Sequence, residues 1–223
     1  MKLLHGDSLE IMKTIPDESI DAVITDPPFG IGFKYGDKKE AHSSPEDYWE
    51  WFNEYYFEIR RVVKDGGFIA IWQSQQYLPW VWDWFGRDIH IYIGAKNFVQ
   101  LRKTAINYGY DPIILQYKGK PELRPEKPKR NIDFFVANTA KFVAQKNSLA
   151  RKHPCPRPID QVNEIVENFS VGTVLDPFMG SGTTGVVCKN LDREFIGIEI
   201  RKEYFELASE RISLESLKKG VGK

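Results

Sequence analysis

The chain reads as an α/β protein. Three observations carry that reading: short apolar runs alternate with stretches of helical periodicity, two of those runs end in an Asp-Pro step, and 223 residues with 42% apolar content suffice for one large core. Asp21–Thr25 is the first such run, and it stops in Asp26-Pro27-Pro28-Phe29-Gly30. Two prolines remove two backbone donors and fix φ, and each pushes the residue before it towards an extended conformation. The segment is therefore a stiff hook, neither helix nor sheet interior. Gly30–Pro45 follows as a mobile, glycine- and charge-bearing loop. Tyr48–Val63 has apolar residues at helical spacing, Gly66-Gly67 breaks the pattern, and Phe68–Trp72 is a strand. A tryptophan-rich helix near Tyr77–Phe85 carries Trp80 and Trp84 four residues apart, a stripe that packs on a sheet. Strands near His90–Ala95 and Pro112–Tyr117 come next.

Between Gly119 and Lys152 the periodicity fades, and PELRPEKPKR is rich in proline and charge, so this stretch is a loop or small inserted lobe without a core element. Order resumes with a helix at Pro158–Phe169, a strand at Thr173–Leu175, a helix at Thr183–Leu191, a strand at Glu194–Ile200 and a helix at Glu203–Leu217. The tail SLKKGVGK frays. The division is one domain in three parts: 1–118, an insertion over 119–152, and 153–223.

The formal charge is zero, but residues 118–152 carry +7 and the remainder −7, a basic surface on an acidic body. Cys155 and Cys188 stand alone and His5, His42, His90 and His153 are scattered, which speaks against a disulfide scaffold or a structural zinc site. No run is long enough to span a membrane, and MKLLHGDSLE lacks the apolar stretch of a signal peptide, so the expected place is the cytoplasm, without a membrane partner.

The second dense motif is Asp176-Pro177-Phe178-Met179-Gly180-Ser181-Gly182-Thr183-Thr184-Gly185. Gly180, Gly182 and Gly185 satisfy G-x-G-x-x-G, with Glu199 at the end of the next strand, which is the dinucleotide fingerprint of a nicotinamide enzyme. Asp-Pro-Phe-Met, however, separates the strand from the first glycine, and too little chain follows for a second nucleotide-binding half. The shared physics remains: glycines let backbone amides approach a ligand, and the helix opening at Thr183 presents its positive end. Glu199 is placed for two ribose hydroxyls and Asp176 for a cationic or amine-bearing group. An adenosine with a zwitterionic tail, S-adenosylmethionine, fits that set.

DPPF together with DPFMGSGTT resembles the amino-methyltransferases of DNA, which use S-adenosylmethionine to methylate exocyclic amines. The catalytic motif precedes the cofactor loop, the permuted order of the family's beta group. The opening LLHGDSLE resembles that group's N-terminal strand, and the resemblance implies that Asp7 contacts the cofactor adenine. His153-Pro154-Cys155-Pro156-Arg157-Pro158 resembles the HPxxKP element, with Arg157 in the lysine's place. The family implies a Rossmann-like seven-stranded methyltransferase sheet, mostly parallel with one antiparallel strand, with Lys2–His5 beside Glu194–Ile200 and a short inserted target-recognition segment. It implies a catalytic set of Asp26, Pro27, Pro28 and Phe29 and a cofactor set of Asp7, Asp176, Phe178, Gly180, Ser181, Gly182, Thr183, Thr184 and Glu199. DNA phosphates are assigned to Lys34, Lys38, Lys39, Lys127, Lys129 and Arg130. Phe29 stands where tyrosine is commonest, and Asp111-Pro112 where a glutamate often precedes the strand.

Asp26 and the carbonyl of Pro27 would accept the two amine hydrogens, and Phe29 would stack on a base flipped from double-stranded DNA. Aspartate at the head of the hook favours adenine N6, and N4 of cytosine is the alternative. A DNA- and cofactor-binding regulator without catalysis is the alternative of another class, and it requires a broken site. The resemblance further implies S-adenosylhomocysteine as product, no metal, a homodimer and a cognate restriction endonuclease.

Overall fold

Side-chain alternation along the strands sets the architecture. Val23, Ile69, Ile71, Leu175 and Ile198 fall on one face of a central sheet and Ala22, Ile24, Ala70, Trp72 and Val174 on the other, each face buried under its own helices. The computed structural model describes residues 1–35, 38–42, 44–97, 109–121, 134–137 and 149–221. Its strands are β1 (Lys2–His5), β2 (Ile20–Thr25), β3 (Ile31–Tyr35), β4 (Lys38–Ala41), β5 (Val63–Trp72), β6 (His90–Lys96), β7 (Tyr110–Tyr117), β8 (Phe134–Ala137), β9 (Thr173–Asp176) and β10 (Glu194–Glu199).

Eight of these form one sheet in the order β1-β10-β9-β2-β5-β7-β6-β8. β7 runs antiparallel to β5 and β6, and every other pairing in this sheet is parallel. The single antiparallel strand and the pairing of β1 with β10 are as expected. The count is eight rather than seven, because Phe134–Ala137 adds a strand to β6 inside the segment read as lacking any core element. The apolar run Phe134-Phe135-Val136-Ala137 was the available signal, and the surrounding proline and charge obscured it.

The helices are α1 (Ser8–Met12), α2 (Pro45–Val62), α3 (Val81–Phe85), α4 (Ile159–Phe169), α5 (Thr183–Asn190) and α6 (Lys202–Val221), with 3-10 turns at Gln75–Trp80 and Leu149–Lys152. α2 starts at Pro45 because the Ser44 hydroxyl accepts the Asp47 N–H at 3.2 Å and proline suits the first helical position. Its stripe of Tyr48, Phe52, Tyr56, Ile59 and Val62 buries against one face of the sheet. α4, α5 and α6 cover the other through Val162, Ile165, Val166, Val186, Val187, Ala208 and Ile212.

Three local expectations change. The helix expected near Tyr77–Phe85 is a 3-10 turn followed by short α3, with Pro79 inside the turn. The tail stays helical to Val221. Gly30–Pro45, read as a loop, contains the antiparallel hairpin β3–β4, whose register pairs Lys34 with Lys39. No helix among the described residues is long and apolar enough to cross a membrane.

Candidate active site

β2 and β9 are neighbours, so their carboxyl ends lie side by side, and both continue into Asp-Pro. Open α/β sheets bind ligands in the crevice beyond such ends. A cavity of about 290 Å³ opens there.

The hook on β2 is fastened at both ends. Pro27 is buried, Pro28 and Phe29 are half-buried, and Gly30 has φ +64°, where a side chain would also overlap the His42 ring. The His42 N–H donates to the Gly30 carbonyl at 2.9 Å, drawing the end of the β3–β4 hairpin back onto the hook. The Tyr77 hydroxyl donates to the Phe29 carbonyl at 2.9 Å. Tyr77 in turn stacks on Tyr48 with ring centroids 4.6 Å apart, and Gln73 Nε2 donates to the Tyr48 hydroxyl at 3.2 Å. Burial pushes both phenols above their ordinary pKa, so both stay neutral, Tyr77 donating to the hook and Tyr48 accepting from Gln73.

Asp26, the head of the hook, meets a side chain from far along the chain. Arg157 Nε donates to Asp26 Oδ2 at 2.6 Å and Nη2 to Oδ1 at 2.7 Å, a two-pronged pair. Arg157 Nη1 lies 3.1 Å from Asp111 Oδ2, and Asp111 is also held by Lys96 at 2.7 Å and by Gln161 Nε2 at 2.8 Å. Burial alone would raise the Asp111 carboxyl, but Arg157 and Lys96 outweigh it and hold it below the usual carboxylate range. Burial likewise disfavours the Arg157 charge, and the two aspartates more than restore it. The guanidinium carbon sits 5.9 Å from the centroid of Phe29 and 5.7 Å from that of Trp72.

The loop on β9 is built differently. Asp176 is buried, and it accepts from Thr25 Oγ1 at 2.7 Å, the Phe178 N–H at 3.1 Å and Thr184 Oγ1 at 2.7 Å. Burial, against those three donors, pushes its carboxyl up to about 6. The expected role of facing a cationic group is therefore not its main engagement: Asp176 lines the cleft, but its oxygens knit the two strand ends together. Glu199 is similarly engaged, its Oε2 accepting from the Gly180 N–H at 2.9 Å and its Oε1 from the Arg201 N–H at 2.8 Å. Burial raises its pKa as well.

Gly182, with φ +76°, precedes α5 without a side-chain cap, and a Cβ there would lie 2.8 Å from that of Ala208. That glycine answers to helix packing. Gly180, at φ +51°, faces the His153 ring, which burial holds neutral with a pKa lowered to about 4. Arg211 pins the loop from α6 by donating to the carbonyl of Ser181 and, at 2.8 Å, to its hydroxyl. Asp7 caps α1 through Oδ1, which accepts from the Leu9 N–H at 2.8 Å, and it also lines the cleft.

The cleft thus brings together Asp7, Asp26, Pro28, Asp176, Phe178, Gly180, Ser181, Thr183, Thr184 and Glu199. Pro27 and Phe29 adjoin that lining on the hook, and Gly182 adjoins it in the loop. Lys34, Lys38 and Lys39 fall on the β3–β4 hairpin, and Lys127, Lys129 and Arg130 lie outside the described residues. The sequence reading missed an aromatic wall: Trp51 and Tyr55 of α2, with centroids 5.1 Å apart, join Phe178, 5.2 Å from Tyr55. Helical spacing made both look like core. It also missed the tethers Thr25, Tyr77 and Arg211, and the pairing of Asp111 with Arg157, all with partners remote in sequence. No group of three or more His, Cys, Asp or Glu among the described residues could hold a metal ion.

The family of DNA methylases matches residues 20–210. The type II methyltransferase M.HpaI of Haemophilus parainfluenzae is 28% identical, over 96% of this chain and 74% of its own length. The DNA adenine methyltransferase YhdJ of Escherichia coli K12 is 29% identical, over 96% of this chain and 83% of its own. Among solved structures, the M1.HpyAVI–SAM complex superposes with a TM-score of 0.69 at 26% identity, covering 95% of this chain and 98% of that one. The cytosine-N4-specific PvuII DNA methyltransferase shares the fold, with a TM-score of 0.71 at 19% identity, over 94% and 85% of the two chains. The chain belongs to the DNA methylase family, the N6/N4 DNA methyltransferases.

Proposed function

We propose that this member of the DNA methylase family transfers a methyl group from S-adenosylmethionine to the exocyclic N6 of an adenine flipped out of duplex DNA. The observation that carries the reading is the Asp26 carboxylate, held on a proline-stiffened strand end beside the glycine loop. An exocyclic amine is a weak nucleophile because its lone pair is delocalised into the ring. Asp26 and the Pro27 carbonyl accept its hydrogens, which favours a pyramidal nitrogen with a directed lone pair. Stiffness matters because misplacing reacting atoms by about 1 Å can cost about 100-fold in rate. Phe29 offers a ring on which the flipped base can stack, at about 1–3 kcal/mol, against an unstacking cost of a few kcal/mol.

The residues on the other side of the cleft fit the cofactor. Trp51, Tyr55 and Phe178 supply an aromatic wall of mutually tilted rings for its adenine. Asp7 and Glu199 supply acceptors for the nucleoside, and the loop Gly180–Thr184 lets backbone approach its tail. Bound there, the cofactor supplies an activated methyl group on a sulfonium. Adenine is favoured by the carboxylate at the head of the hook and by similarity to an enzyme described as a DNA adenine methyltransferase.

The test is methyl transfer from labelled S-adenosylmethionine to unmethylated duplex DNA, with the product digested to nucleosides and identified by mass. N6-methyladenine is expected. N4-methylcytosine would overturn the choice of base, and no methylated nucleoside at all would overturn the reading.

A further inference from the structure

A half-buried chain of four charges, Lys96–Asp111–Arg157–Asp26, ends on the hook. We infer that Arg157 is the positioning residue of this active site: it fixes the plane of the Asp26 carboxylate and stays in place while the target amine binds. The inference rests on the methyltransferase reading above and adds to it a residue that the two motifs do not contain.

The geometry argues for a fixed clamp. A carboxylate has about four lone-pair sites, and the fork of Arg157 occupies one on each oxygen, leaving another on each for an incoming N–H. The two contacts, at 2.6 and 2.7 Å, hold both oxygens at once, which a lysine ammonium, a point charge, would not do. Arg157 does not depend on Asp26 alone. Asp111 takes its third nitrogen, Lys96 and Gln161 hold Asp111, and the rings of Phe29 and Trp72 flank the guanidinium.

Withdrawing such a group would leave two half-buried carboxylates short of a partner, so retention during base binding is favoured over displacement. With the guanidinium in contact, Asp26 offers oriented lone pairs rather than a bare negative charge. Its task is to aim the amine, and the clamp sets the direction.

The experiment measures methyl transfer, S-adenosylhomocysteine affinity and thermal unfolding for the parent, Arg157→Lys, Arg157→Met and Asp26→Ala, together with the double variant Asp26→Ala/Arg157→Met. A 2-aminopurine placed at the target position reports base flipping. The expected result for Arg157→Met is a kcat loss of about 100-fold with little change in KM for DNA or in S-adenosylhomocysteine affinity. Arg157→Lys should recover part of that loss, and the double variant should be no slower than Asp26→Ala, because the clamp acts only through Asp26.

A merely structural role would add to the Asp26→Ala defect and weaken S-adenosylhomocysteine binding in step with kcat, and that result would overturn the proposal. So would stronger 2-aminopurine fluorescence with faster turnover in Arg157→Met, the mark of a plug that the base displaces. If Arg157→Met does not fold, Arg157→Lys decides: a kcat loss with parental cofactor affinity supports the clamp, and parental kcat overturns it. A parent that binds DNA and S-adenosylhomocysteine yet methylates nothing overturns the functional reading, and the clamp with it. An active parent with fully active Arg157 variants overturns the clamp alone.

Discussion

Two neighbouring strands end in the same dipeptide, Asp26-Pro27 on β2 and Asp176-Pro177 on β9, and the two aspartates do opposite things. Asp176 is consumed locally: three donors, two of them within eight residues of it, satisfy a carboxylate that is 3% exposed. Asp26 is a quarter exposed at its side chain and is held by one residue 131 positions away. The first fixes a loop so that other groups can bind, and the second is itself presented to the cleft. The residues that follow match this division. Proline and phenylalanine stiffen the hook, whereas glycines at φ +51° and +76° let the loop turn closely under α6.

If that division is right, the two alanine variants separate. Asp26→Ala should lower kcat by about 1000-fold, within the range for a positioned proton acceptor, and leave S-adenosylhomocysteine affinity unchanged. Radiolabel transfer under saturating cofactor measures this, and a matching loss of affinity would merge the two roles. Asp176→Ala should act on stability first. Two hydroxyls and one amide lose their buried acceptor, at about 3 kcal/mol in a denaturant titration near pH 5.

That cost carries a pH signature. The folded carboxyl titrates near 6, above its unfolded value of 3.8, so its contribution is full below the unfolded value and is lost as the pH rises through 6. The penalty of Asp176→Ala should therefore shrink between pH 5 and pH 7.5. A penalty that is flat with pH would show that the carboxylate is solvated rather than buried.

His153 gives the same region the opposite sign. Burial lowers its pKa from 6.5 to about 4, so its contribution is full above 6.5 and is lost as the pH falls towards 4. The two groups largely offset each other in the parent, and the variant exposes one of them. His153→Gln should lose less stability than the parent on going from pH 6.5 to 5, by about 2 kcal/mol, since a tenfold change in a protonation equilibrium is worth about 1.4 kcal/mol. Parallel denaturation curves for the two proteins over that range would sink the assignment.

The two regions also differ in how far they were legible in the sequence. The loop and hook announced themselves because their contacts are local: proline and glycine constrain backbone at the position where they stand, and Asp176 finds Phe178 and Thr184 a few residues on. The single antiparallel strand and the pairing of β1 with β10 followed from the resemblance, whereas β8 did not, because four apolar residues amid proline and charge carry too little pattern to mark an edge strand. What holds the hook in place was not legible either. Arg157, Asp111, Lys96 and Tyr77 come from separate stretches of chain; the resemblance marked the positions of Arg157 and Asp111, but nothing local said that they would meet Asp26 as a clamp. Only the folded register of β6, β7 and the turn before α4 brings them together.

The smallest effect probes the join between the regions. Tyr77→Phe keeps the ring stacked on Tyr48 and removes the donor to the Phe29 carbonyl, which should cost about 1 kcal/mol of stability. Its effect on rate should exceed its effect on cofactor binding. The hook would lose one of its two end tethers, while Asp176 and Glu199 keep all their donors. The two strand ends do share one bond, Thr25 to Asp176 at 2.7 Å, so motion in the hook has a route into the loop. A several-fold drop in kcat with parental S-adenosylhomocysteine affinity would mean that this bond does not transmit the disturbance. An equal loss in both would mean that hook and loop move as one body, and the contrast between the two aspartates would then be one of contacts and not of function.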